Sequence, residues 1–237
     1  MNTDQKSYQV SLDKFNDDFA QYMSSLSKED QEKLNQDFII LNQEGKTDVE
    51  VQLPNPGIKV GEKAPNFTLT NPFGLEVTLE SELKKGPVIL VFYRGAWCPF
   101  CNMHLHALQE SMPKFQQYNA QIIAVTLQNP EKSEEQITKD AYTFEVLSDV
   151  NSQVIKDYNL YYKITENLVT VLKGLGFDVE EHNGKGRNEL PVPGTFVLDQ
   201  DGVVQAMHAP IDYTLRMEPS DIVNVLEKIQ YKNKYFV

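Results

Sequence analysis

Cysteine is scarce in this chain of 237 residues, with two copies, at positions 98 and 101. Three positions apart, they cannot staple distant segments as the bridges of small secreted scaffolds do, and so short a loop suits reversible chemistry in a reducing compartment. Basic residues are also short, 22 against 34 acidic, and a formal net charge of -12 lacks the basic footprint that phosphate backbones and anionic lipid surfaces require. Neither nucleic acid nor a membrane is an expected partner. Long apolar runs are missing too. The longest, Val88 to Tyr93, is far below a membrane span, and the start MNTDQKSYQVSLDKF has no basic stretch followed by an apolar core. The expected location is cytoplasmic.

Against these absences stands an ordinary globular composition, long enough for one large domain with an appendage. Residues 8 to 44 predict a helical hairpin. Phe15, Phe19, Tyr22, Met23 and Leu26 form one apolar stripe, Leu34, Phe38 and Leu41 a second, and Ser27 with Asp30 resembles a capping box between them. Such stripes pack on their own domain more often than on a second copy, although a homodimer contact is the alternative. The stretch from Gly45 to Pro65 has no sustained period and reads as a linker. The division expected is a helical extension over 1–50, a linker over 51–60 and one α/β domain over 61–237.

From about Gly61 strands and helices alternate as in a mixed, mostly parallel sheet flanked by helices. Val88 to Tyr93 and Gln121 to Thr126 predict buried strands. Cys98 to Tyr118 predicts a helix with Leu105, Leu108 and Met112 on one face, kinked or divided at Pro113. Helices are expected over 131–141, 151–158 and 167–175, and a short strand over 144–148. A Gly-rich polar loop is expected over 176–189, a hairpin turning at Gln200-Asp201-Gly202, and a closing helix over 218–231 with Pro219 in its first turn.

The chemistry concentrates in VILVFYRGAWCPFC: a buried strand, a tight loop, Trp97, then C-x-x-C opening a helix. Unpaired N–H groups and the positive end of the helix dipole lower a thiol pKa, and the thiolate is the reactive form. Cys98 is expected at or next to the cap and Cys101 in the first turn, close enough to close a disulfide. A sulfenic acid on either can then condense with its neighbour. Inert buried thiols or half a zinc site are the bland alternatives. Zinc is the weaker, since His104 and His106 face different ways on a helix and no second C-x-x-C exists. All four histidines stay outside the expected site, and no metal or cofactor is expected.

GEKAPNFTLTNPFG, VFYRGAWCPFC, VLSDVNSQVIKDYNL and PGTFVLDQDG together resemble the peroxiredoxin branch of the thioredoxin superfamily, over roughly 61 to 229. The resemblance implies a thioredoxin-like fold. Laid on the peroxiredoxin pattern P-x-x-x-T-x-x-C, Cys101 takes the peroxide-reacting position, Cys98 replaces the Thr and Arg94 the Pro, while Pro193 falls where that family has its second arginine. Laid on W-C-x-x-C of thioredoxins, Trp97, Cys98 and Cys101 fit, and Cys98 becomes the exposed attacking thiol. Pro193, before Gly194-Thr195-Phe196, matches the cis-proline that faces the cysteines in such proteins. Arg94 is either a stabiliser of the thiolate, substituting for the missing arginine, or a solvated charge. Two functions follow from the resemblance. One is a thiol peroxidase acting on hydroperoxides and recharged by a thioredoxin- or glutaredoxin-type dithiol. The other is a thiol-disulfide oxidoreductase acting on protein or glutathione disulfides. A third reading makes the domain a scaffold whose hairpin binds a partner. The expected site comprises Cys98 and Cys101, shaped by Trp97, Pro193, Arg94 and Thr195.

Overall fold

The continuous apolar run VILVF forms a strand buried on both faces, which places it at the centre of a covered sheet. In the computed structural model, which describes residues 7–235, this is β3 (Val88–Phe92). Before it come α1 (Ser7–Ser25), α2 (Lys28–Gln52), the hairpin β1 (Thr68–Thr70) and β2 (Glu76–Thr78), and the short α3 (Leu79–Leu83). After it come α4 (Pro99–Phe115), β4 (Gln121–Thr126), α5 (Pro130–Asp140), β5 (Glu145–Ser148) and α6 (Gln153–Asp157). Then follow β6 (Tyr161–Lys163), α7 (Glu166–Gly174), α8 (Val179–Asn183), β7 (Glu189–Pro191), β8 (Gly194–Leu198), β9 (Val204–His208) and α9 (Pro219–Tyr235).

The central sheet has the order β5-β4-β3-β8-β9. β3 pairs in parallel with β4, and β4 with β5, through the crossover helices α4 and α5. On its other side β3 pairs antiparallel with β8, and β8 with β9. The thioredoxin-like sheet is thus mixed, and β3 is the strand where parallel pairing gives way to antiparallel. The carboxyl end of such a strand is where α/β sheets leave a crevice for chemistry.

Several local expectations change. Pro113 does not divide α4, which runs on to Phe115 two residues past the proline. The helix passes into a 3₁₀ turn over Gln116–Tyr118. The loop expected over 176–189 contains α8, started by Asp178, whose carboxylate accepts the Glu181 N–H at 3.0 Å. β6 and β7, too short to show a period, pair with each other across an inserted segment, residues 164–188, that holds α7 and α8.

Ser27 caps α2 as expected, accepting the Asp30 N–H at 3.2 Å. The Asp30 carboxylate takes the Ser27 hydroxyl at 2.6 Å rather than reaching back to the main chain. The linker expected from Gly45 is helical as far as Gln52. A mid-helix glycine weakens a helix by about 1 kcal/mol, and tertiary bonds offset this. Glu44 accepts from Thr165 and Asn167, Asp48 accepts the Thr165 N–H, and Gln52 bridges to both main-chain groups of Lys163. Two α2 carboxylates thus stand at the N-terminus of α7, where the dipole favours them. The stripe on α1 is covered in part from within the chain, Phe15 meeting Phe100 of α4 and Phe19 meeting Phe38 of α2 edge-on, while Tyr22 stays exposed.

Entry to β3 is tightly packed. A Cβ at Gly86 would lie 2.0 Å from the carbonyl oxygen of Asn119, the left-handed residue that ends the turn after α4. Because the obstacle is backbone, Gly86→Ala is expected to destabilise the fold by about 1–3 kcal/mol, read as a lower urea midpoint at unchanged m-value.

Candidate redox site

The tight loop between β3 and α4 is shaped by a glycine and held by a buried amide. Gly95 has φ 144°, and a Cβ there would lie 2.7 Å from the Trp97 indole nitrogen. Gln128, fully buried after β4, accepts the Ala96 N–H at 2.9 Å through Oε1. Its Nε2 donates to the Tyr93 hydroxyl, Ser133 and Gln136. Gln136 in turn donates to Asn102, whose amide donates to Ala96 O at 2.7 Å. The loop is clasped from two directions by a network that leaves it little freedom.

Cys98 stands at the N-cap of α4 with Pro99 at the first helical position, and its carbonyl accepts the N–H groups of Cys101 and Asn102 at 3.1 Å each. Cys101 lies in the first turn. Both are free thiols, 0% and 1% exposed. The exposure expected for Cys98 on the thioredoxin pattern is therefore corrected. Arg94, Trp97 and Tyr213 gather over it, and Tyr213 comes from a strap between β9 and α9 that no local pattern foretells.

Arg94 is buried, not a solvated charge. Its Nη2 donates to Cys98 Sγ at 3.2 Å, and its guanidinium lies 5.1 Å from the Trp97 ring centre and 4.3 Å from that of Tyr213. Burial works against its charge, but the sulfurs of Cys98 and Cys101 outweigh that and hold its pKa above the ordinary arginine value. A second arginine stands on the other sulfur: Arg216 Nη2 donates to Cys101 Sγ at 3.3 Å. The sequence pattern put the missing family arginine at Pro193, and nothing local marks Arg216, a lone cation in an irregular stretch. Burial pushes the Cys101 thiol up, yet the hydrogen bond from Cys98 and the charges of Arg216 and Arg94 together hold it well below the ordinary thiol range. Burial and its bond to the Cys101 sulfur push Cys98 up, against the pull of Arg94. These opposed directions favour Cys101 over Cys98 as the thiolate of the pair.

The remaining expected residues divide. Trp97 packs on Arg94 and, at 6.3 Å, on Phe177 of the inserted segment. Pro193 lines a small apolar cavity with Arg94, Tyr162, Leu168 and Tyr213, and the Val192–Pro193 bond is trans, which corrects the expected cis form. Trans is the intrinsic preference of X-Pro bonds by about 0.5–1 kcal/mol. Here the chain leaves β7 and enters β8 within three residues in that form. Thr195 is buried within β8 opposite Val91, and among the described residues its side chain has no hydrogen bond to either sulfur. His104 is a packing residue. Its Nε2 lies 3.0 Å from Met217 O, its ring meets Tyr8 edge-on, and burial with the nearby Arg216 charge lowers its pKa to about 3.

Two outcomes follow from these positions. Arg94→Ala is expected to move the pH profile of thiol alkylation upward by about one pH unit or more, since it removes a cation in contact with the pair. His104 is neutral in the fold but takes a proton near 6.5 when unfolded, so the unfolded chain binds more protons and stability falls as pH drops from about 6.5 toward 3. His104→Gln, compared with the parent by urea titration across that window, is expected to show a shallower loss.

Residues 60–207 match the model of the AhpC/TSA family. A putative chloroplastic peroxiredoxin Q of Oryza sativa subsp. indica is 29% identical over 151 residues, which span 64% of this chain and 59% of that protein. The thiol-disulfide oxidoreductase ResA of Geobacillus thermodenitrificans is 28% identical over 174 residues, 73% of this chain and 79% of its own. Among solved structures, peroxidoxin BcpB from Mycobacterium tuberculosis superposes with a TM-score of 0.57 at 18% identity, covering 73% of this chain and 97% of that one. With a strand, loop and helix presenting two thiols at the sheet's carboxyl edge, and a family match across most of the α/β region, the chain belongs to the AhpC/TSA family.

Proposed function

We propose that the protein is a thiol peroxidase in which Cys101 attacks and Cys98 resolves. The observation that carries this reading is the pair of guanidiniums, one on each sulfur, at 3.2 and 3.3 Å, with Arg94 buried and Arg216 half-buried. The Cys101 thiolate displaces on the near oxygen of a hydroperoxide. The O–O bond breaks, the sulfur is oxidised to a sulfenic acid, and the leaving oxygen departs as an alcohol or water once protonated. In this reading the Arg94 and Arg216 donors meet the negative charge that develops on those oxygens, and oriented donors lower a barrier most there. Cys98 then attacks the sulfenic sulfur, water leaves, and a disulfide forms. An external dithiol of thioredoxin or glutaredoxin type supplies two electrons to restore the thiols. The similarity to a peroxiredoxin Q supports the assignment.

Burial favours peroxide over a protein disulfide as first substrate. A small peroxide needs only a narrow opening, whereas disulfide exchange requires three sulfurs in line with the attacking one accessible. Disulfide exchange is the second reading, supported by the W-C-P-F-C run and by the similarity to ResA. We also place the chain in a reducing compartment such as the cytoplasm, on its two free cysteines. Among the described residues no helix is long and apolar enough to cross a membrane.

Trp97, the sole tryptophan, adjoins Cys98 and offers a fluorescence signal for the redox state. Reduced protein mixed with hydrogen peroxide or an organic hydroperoxide is expected to react about a hundredfold or more faster than a free thiol, the scale of one oriented donor. Cys101→Ser is expected to abolish this, and Cys98→Ser to allow one oxidation that stops at the sulfenic acid. Reaction no faster than a free thiol, with rapid attack on a disulfide substrate, selects disulfide exchange instead.

A further inference from the structure

The two arginines reach the cysteines by different routes. Arg94 is anchored in the loop that carries Cys98, whereas Arg216 sits on the strap between β9 and α9, beyond residue 207 where the family match ends. α1 lies before residue 60, where that match begins. These two outlying segments meet beside Cys101. The Tyr8 side chain is buried, and its hydroxyl donates to the carbonyl of Thr214. The N–H groups of Tyr8 and Gln9, unpaired at the start of α1, donate to the two Glu218 carboxylate oxygens at 3.1 and 2.8 Å. A carboxylate there satisfies orphan donors and faces the positive end of the helix dipole. α1 therefore grips the strap two residues before Arg216 and two residues after it.

Between those grips the guanidinium folds back on its own strap, Nη1 donating to the carbonyls of Tyr213 and Leu215 at 2.6 Å each, which leaves Nη2 to reach Cys101 Sγ. The geometry depends on the backbone conformation of 213–216. Other tethers hold its flanks: Tyr213 donates to Asn42 of α2, and Met217 O meets His104. A hydrated, half-buried arginine on a free strap would spread over many rotamers and keep its charge in water. We propose that Tyr8 and Glu218 are positioning residues, and that α1 is a latch that sets Arg216 on the Cys101 sulfur. Tyr8 acts through the Thr214 carbonyl and the strap, not by touching substrate. The appended helix is thereby part of the redox site.

The latch deepens the reading of Cys101 as the reactive thiolate and rests on it. Its test uses no peroxide, so the two can fail separately. Ionisable groups facing Cys101 are Cys98 and Arg94 from its own loop and helix, Arg216 from the strap, Tyr8 from α1, Tyr93 from the end of β3 and Tyr142 beyond α5. The measurement is the pH profile of iodoacetamide alkylation in full-length protein, for the parent, Tyr8→Phe, Arg216→Ala and the double variant. Tyr8→Phe keeps the ring on His104 and removes only the hydroxyl. It is expected to move the profile upward by roughly half to one pH unit, about three- to tenfold less thiolate on the rising limb. Arg216→Ala is expected to move it at least as far, and the double variant to match Arg216→Ala alone. A profile unmoved by Tyr8→Phe while Arg216→Ala moves it overturns the latch. Additive shifts in the double variant also overturn it, since Tyr8 would then act on the sulfur independently of Arg216. Glu218→Gln, which keeps one acceptor oxygen for the start of α1, is expected to fall between the parent and Tyr8→Phe; a shift larger than that of Arg216→Ala would contradict the proposed route.

Discussion

Two buried sulfurs, each with a guanidinium brought onto it, organise the middle of this molecule. Removing a charge from water costs several kcal/mol per ion unless partners replace the lost hydration. Here the replacement is a pair of guanidiniums, Arg94 on Cys98 and Arg216 on Cys101, and neither arginine forms a carboxylate ion pair among the described residues. Their charge is thus directed at the sulfurs instead of being cancelled by an acid. Arg94 tolerates its burial because Trp97 and Tyr213 offer aromatic rings to its planar head. These groups come from two parts of the fold, the loop after β3 and the strap before α9, so the surroundings of Cys101 depend on packing well beyond its own helix.

The sheet supplies the fixed side of that arrangement. β3 ends where parallel pairing to β4 changes to antiparallel pairing to β8, and the loop that follows carries Arg94, Trp97 and Cys98 within five residues. Gln128 locks the loop from the end of β4, while Gly95 permits a backbone course that a side chain would block. The other side is built by segments around the family core. The strap brings Tyr213 and Arg216, α1 brings Tyr8, and the inserted segment brings Phe177 against Trp97. A family scaffold holds the thiols, and appended elements close them from solvent.

Much of the scaffold is legible in the sequence because its signals are local. A fully apolar run of five residues announces β3 and the four-residue run IIAV announces β4, Ser27 announces the start of α2, and C-x-x-C with Pro99 announces the cap of α4. Where local signals are weak or misleading the reading departs from the structure. Gly45 hides the last turns of α2, since their support comes from bonds to residues 163–167, and Pro113 suggests a division where α4 runs on to Phe115.

The site divides along the same line. The sequence alone determined which two sulfurs are present, their spacing, their place at a helix N-terminus and the arginine four residues before Cys98, because all of these are fixed by covalent connection over a few residues. Only the tertiary structure decided that both thiols are buried, that Val192–Pro193 is trans, and that Arg216, 115 residues from Cys101, supplies the second guanidinium. Burial and long-range charge depend on which distant segments meet, and that is set by the packing of whole elements rather than by any pattern a short window of sequence can hold.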